Sequence, residues 1–131
     1  MTKFFSNYKL IFYSTNFFLI FLYLFPGSVL GWIIYSDKKI QPQITPDFLI
    51  SSNHFYVFIF ITILGFLTFK KKNQIKILII YLILLSAILE ILHLFIPERS
   101  FQWADLFGNF LGVIVVFFIR KFINKYEFFK K

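Results

Sequence analysis

The sequence predicts an all-α protein, a four-transmembrane-helix bundle of up-down topology with both termini cytoplasmic. Three observations carry this. Hydrophobic residues make up 59% of the chain and charged residues 15%, against about 25% charged in an average soluble protein. The charges are gathered into short clusters that separate four long apolar runs. Those clusters are basic on alternate sides of the runs, which is how membrane proteins encode orientation. A chain of 131 residues has room for one small bundle of membrane helices, so residues 1–131 are read as a single membrane domain.

The first run, Leu10 to Ser36, holds no charged residue and exceeds the ~20 residues that a span needs. A helix is expected over about 10–35, with a kink or an end at Pro26-Gly27-Ser28. Lys3 and Lys9 resemble the basic start of a signal peptide. The uncharged run is too long for such a leader and no A-x-A site follows it, so a retained helix is expected. Residues 37–47 form a polar, proline-broken loop. The second helix, about 49–69, contains one titratable residue, His54, and stops at Lys70-Lys71-Lys72-Asn73-Gln74-Ile75-Lys76. The third, about 77–97, carries only Glu90 and His93 as ionisable groups, and Pro97 closes it. The fourth is short: Leu106 to Ile119 gives 14 uncharged residues, about 21 Å of helix. Extending it to about 101–121 makes a full span and draws Asp105 inward, to a depth similar to that of Glu90 on the neighbouring antiparallel helix.

Of the 14 basic residues, 11 lie in the N-terminal tail, the 70–76 loop and the C-terminal tail. By the positive-inside rule these are cytoplasmic, and the stretch from Glu90 to Asn109 faces outward. The net charge of +8 is spent on lysines beside apolar runs, a pattern that suits anionic lipid headgroups. No soluble basic fold accompanies it, so nucleic acid is not expected as a partner. The chain has no cysteine, which excludes disulfides, thiolate metal sites and cysteine nucleophiles.

An ionisable group within hydrocarbon costs roughly 2.5–3.5 kcal/mol at a helix centre, so those that persist are paired or line a polar cavity. Glu90, His93 and Pro97 fall at i, i+3 and i+7 on one helical face, and Asp105, Asn109 and Gly112 at i, i+4 and i+7 on another. Gly108 and Gly112 form a small-xxx-small pair suited to close helix packing. Arg99, on the connection, is expected within ion-pair reach of Asp105 or Glu90, and its planar guanidinium suits carboxylates and phosphates. Three readings stay open: a charge lock for the hairpin, an outward pocket for an anionic ligand, or a metal site from Glu90, His93 and His54. The Glu/His pair is half of a di-metal bundle site, and the second such pair is missing. No metal ligand set and no cofactor is therefore assigned.

The spacing Glu90-x2-His93-x3-Pro97-x-Arg99-x5-Asp105-x3-Asn109-x2-Gly112 resembles the VanZ-like family of small bacterial membrane proteins. His54-Phe55 and Leu64-Gly65-Phe66 resemble its elements on the second helix, so the likeness spans roughly residues 50–115. Two departures stand out: His93 replaces the family's usual Gln, and Ile50-Ser51 stand where Asp-Lys is frequent. The resemblance implies a multi-pass protein of the bacterial inner membrane and an envelope context, the founding member being associated with teicoplanin resistance.

The leading expectation is that Glu90, Arg99, Asp105 and Asn109, with His54 and His93, bind an anionic envelope lipid or lipid-linked headgroup. An enzyme acting on a lipid-linked substrate is the alternative, with Glu90 or His93 as acid/base and Arg99 holding the anion. It ranks lower because no complete catalytic signature is present. A structural subunit that packs with a second copy or another envelope protein is the third.

Overall fold

The computed structural model describes the backbone of residues 2–129 and the side chains of residues 8–126. The expected topology signals at Lys3, Lys130 and Lys131 thus lie outside the described side chains. The described residues form five helices and no strand: α1 (Thr2–Leu24), α2 (Val29–Tyr35), α3 (Ser52–Thr68), α4 (Lys72–Leu92) and α5 (Trp103–Phe129). Helices α4 and α5 are long and apolar enough to cross a membrane, and the pair α1–α2 reaches that length only as one bent element. Helix α3 is apolar but short, about 25 Å at ~1.5 Å per residue.

The first expected span is two helices, bent by 76° at the break. Pro26 has no N–H to continue the ladder and disfavours helical geometry at the residue before it. Gly27 then takes a φ of +82°, a conformation that costs a glycine little. Ser28 starts the next helix, its Oγ accepting from Gly31 N at 3.0 Å. The loop after α2 returns over this break: Ser28 N donates to Lys38 O at 2.7 Å, and a Cβ on Gly31 would collide with the backbone carbonyl of Ile40. Asp47 Oδ1 then caps α3 by accepting from Ser52 N at 2.7 Å.

The third helix also departs from expectation. It begins at Lys72, where Gln74 Oε1 accepts from Lys71 N at 3.3 Å, and it ends at Leu92 rather than near Pro97. Past His93 the amides of Leu94 and Phe95 bond three residues back instead of four, a tightened last turn that cannot continue into Pro97. Glu98 at φ +60° reverses the chain.

Helix α3 lies at the centre, packed most extensively on α5 and also on α1 and α4. The α5 contact is close because Gly108 and Gly112 face it. A Cβ on Gly112 would stand 2.7 Å from Phe55 O and 2.9 Å from Phe58 Cβ, and one on Gly108 2.8 Å from Ser51 O. Phe58, Ile61, Leu82, Leu89 and Val113 form the core. Phe17, Phe60, Ile77, Ile88 and Phe118 point outward, an apolar exterior suited to hydrocarbon rather than water.

Gly112→Ala should therefore lower the unfolding temperature more than Gly65→Ala. At Gly112 the obstruction is backbone, whereas at Gly65 it is the end of the Leu78 side chain. Overpacking of this kind costs about 1–3 kcal/mol, and thermal denaturation in detergent would read it. Equal shifts for the two variants would mean that α3 and α5 separate easily.

Candidate functional site

Because α1 stops at Leu24, Tyr23 sits in its last turn, with its side chain turned into the bundle and 8% exposed. The hydroxyl donates to Asn109 Oδ1 at 2.9 Å and lies 3.1 Å from His54 Nδ1. The carbonyl of the same residue lies 3.0 Å from His93 Nε2. The Tyr23 ring meets His54 edge-on at 4.9 Å and stacks on His93 at 5.9 Å.

The Tyr23 hydroxyl thus bridges Asn109 and His54 Nδ1, and the proton on the imidazole follows from the direction of that bridge. A carbonyl only accepts, so His93 carries a proton on Nε2. Each ring therefore turns its other nitrogen to a carboxylate: His54 Nε2 lies 3.5 Å from Asp105 Oδ2, and His93 Nδ1 lies 3.4 Å from Glu90 Oε2. Glu90 Oε1 accepts from Gln102 N at 2.9 Å. Glu90 Oε2, though 3.4 Å from His93 Nδ1, makes no hydrogen bond. Glu90 and Asn109 are fully buried.

Arg99 departs from expectation. Among the described residues the contacts at ion-pair distance are Lys38–Glu98, His54–Asp105 and His93–Glu90, so neither Asp105 nor Glu90 is its direct partner. Its Nε donates to Phe25 O at 3.1 Å and its Nη2 to Leu22 O at 3.0 Å, while Nη1 reaches Gln41 Oε1 at 3.5 Å. The Glu98 reversal aims the guanidinium at the C-terminus of α1, where carbonyls lack helical partners and the dipole favours a cation. Burial pulls the Arg99 guanidinium below its ordinary value, and the nearby Asp105 and Glu90 charges oppose that.

Beside the cluster is a cavity of about 250 Å³ between α1, α2, α3 and the loop joining the last two. Leu22, Val29, Ile44 and Val57 give it apolar walls, and Tyr23, His54, Arg99 and Gln41 supply polar atoms. Of the six polar residues singled out from sequence, only His54 and Arg99 line it. Glu90, His93, Asp105 and Asn109 stand behind, and Pro97 lies in the turn beyond α4. The acidic oxygens of Glu90 and Asp105 and a ring nitrogen of His54 lie within 4.8 Å of one another.

Tyr23 is the member that sequence reasoning missed. Its signal was a hydroxyl within an apolar run, three residues before a proline, where hydrocarbon offers no partner. A family model described as VanZ/LLP1 matches residues 4–124, nearly the whole chain and well beyond the motif-bearing part. No curated protein and no solved structure matches it.

Tyr23→Phe keeps the ring contacts and removes the hydroxyl, leaving His54 Nδ1 and Asn109 Oδ1 unpaired. A loss of about 1–3 kcal/mol is expected, against no measurable change for Lys121→Ala in the same thermal assay. Arg99→Ala should cost at least as much, because it strips two carbonyls of their donors. If both variants melt with the wild type, the network is solvated rather than buried.

Proposed function

The chain belongs to the VanZ/LLP1 family, and from that premise we propose that it is a bacterial envelope membrane protein that binds an anionic lipid or lipid-linked headgroup. In this reading residues 1–131 are one domain of four spans. The bent α1–α2 pair and the short α3 each count as one span, and both termini are cytoplasmic. The basic residues of the 70–76 loop and Arg120, Lys121 and Lys125 support that orientation. The cavity then opens toward the outer side, where glycopeptides of the teicoplanin type act, which is the basis for linking the protein to such resistance.

The observation that carries the binding reading is the composition of the cavity. Apolar walls suit acyl or prenyl chain, and Arg99 and His54 are the groups that would meet an anionic headgroup. Asp105 would hold His54 and the carbonyls of Leu22 and Phe25 would hold Arg99, while Glu90, His93 and Asn109 stand behind without touching the ligand. A second reading, an enzyme acting on a lipid-linked substrate, is favoured by one feature. His54 borders the cavity and is backed by Asp105, the arrangement of an oriented acid/base.

Two measurements test this. Reporter fusions in the 70–76 loop and at the C-terminus should both read as cytoplasmic, and an external signal from either would reverse the side on which the cavity lies. Purified wild type should carry an anionic lipid. Arg99→Lys keeps the charge but loses the planar fork, so it should weaken that binding roughly tenfold while the protein stays folded. Unchanged lipid content in Arg99→Lys and Arg99→Ala would overturn the binding role of Arg99. Turnover of a lipid-linked precursor by wild type, abolished in folded Glu90→Gln or His54→Gln with lipid still bound, would promote the enzyme.

A further inference from the structure

The deepest part of the cluster has a charge problem that its hydrogen bonds leave unsolved. Glu90 and Asp105 bring two carboxylates close together inside an apolar bundle, where each uncompensated ion costs several kcal/mol. The Arg99 guanidinium is occupied by the Leu22 and Phe25 carbonyls. Among the described residues only imidazoles approach either carboxylate within ion-pair distance. With His54 Nδ1 engaged by the Tyr23 hydroxyl, Nε2 is left facing Asp105 Oδ2 at 3.5 Å. Beyond hydrogen-bond length, that gap between a ring nitrogen and a carboxylate oxygen is one that a cation would bridge. Fully buried Glu90 Oε2, without a hydrogen-bond partner, adds an unsatisfied acceptor.

We infer that His54 Nε2, Glu90 and Asp105 form a binding site for one divalent transition-metal ion. Their donor atoms lie within 4.8 Å of one another. Three ligands at about 2.0–2.2 Å from one metal stand about 3.3–3.8 Å from one another, so the side chains must close by about 1 Å around the ion and leave a further position open. One imidazole and two carboxylates suit Zn²⁺ or Mn²⁺, and the nitrogen donor disfavours Mg²⁺. The surroundings have the form of an outer shell: with metal on Nε2, His54 would donate Nδ1–H to Tyr23, Tyr23 is held by Asn109, and Glu90 is oriented by Gln102 N. The three donors come from α3, α4 and α5, so no local spacing motif announces them. The metal site and lipid binding share His54, which lines the cavity, but Glu90 and Asp105 stand behind it, so loss of metal in Asp105→Asn and loss of lipid in Arg99→Lys can be told apart.

The test uses the full chain in detergent, stripped with chelator and equilibrated with micromolar ZnCl₂, MnCl₂ or MgCl₂ alone. Bound metal is read by elemental analysis, thermal unfolding follows, and lipid is quantified in the same samples. Wild type should hold about one Zn²⁺ or Mn²⁺ per chain and gain roughly 5 °C or more in unfolding temperature, with no effect of Mg²⁺. Asp105→Asn and Glu90→Gln should each weaken metal binding at least about tenfold, while the surface variant Glu98→Gln binds as wild type. Less than about a tenth of an equivalent on wild type with no thermal shift overturns the site, and that arm needs no variant to fold. Undiminished binding by Asp105→Asn overturns it equally.

Discussion

Helix α1 stops inside an apolar bundle, and the carbonyls at its end must find donors that neither helix nor hydrocarbon supplies. An unsatisfied backbone group in such surroundings costs several kcal/mol. Leu22 O and Phe25 O are taken by Arg99, and Tyr23 O by His93. The break forced by Pro26 thus creates a demand, and the stretch from Glu90 to Arg99 answers it. Unwinding of α4 ahead of Pro97, followed by the reversal at Glu98, brings Arg99 to that end. The two prolines, far apart in sequence, shape the two halves of one contact.

The polar interior follows from that junction. Once Tyr23 is fixed by its carbonyl, its hydroxyl reaches His54 on α3 and Asn109 on α5, so one residue ties α1 to the other three long helices. The close approach of α5 to α3, which Gly108 and Gly112 permit, sets Asp105 against His54. Buried polar groups confer a unique arrangement only when their partners are present. That makes the cluster a rigid backing for the cavity beside it, whose own polar atoms come from Tyr23, His54, Arg99 and Gln41. His93 gains a particular meaning here: its Nε2 proton is committed to the Tyr23 carbonyl while Nδ1 faces Glu90. An amide at this position could also donate to the carbonyl, but it would turn an amide group rather than a ring nitrogen toward the carboxylate.

Much of this was legible in the chain itself, for physical reasons. Four apolar runs broken by lysine clusters state that the chain is helical and membrane-bound, because hydrocarbon tolerates no unpaired backbone. Polar and ionisable residues in or beside such runs are costly, so Glu90, His93, Asp105 and Asn109 stand out in the sequence itself. Element ends were read less well. Pro97 was taken as the last residue of its helix, whereas its steric demand acts upstream and the regular helix is lost by His93. Pro26 allowed a kink or an end, and the 76° turn was decided by the Gly27 conformation and by the loop docking back on Ser28.

By itself, then, the sequence determined the class of the protein, its apolar exterior and the set of polar residues that must be buried together. Those properties depend on composition and on spacing within a single helix. Only the tertiary structure decided which of those residues pair. Arg99 was expected to pair with Asp105 or Glu90, but the free carbonyls at the end of α1 lie 74 and 77 residues away along the chain and won it. Tyr23 looked like one more aromatic in a run rich in them. Its place at the centre depends on where α1 ends and on how closely α3 and α5 approach. Such partnerships are set by distances between helices, which no spacing along one helix encodes.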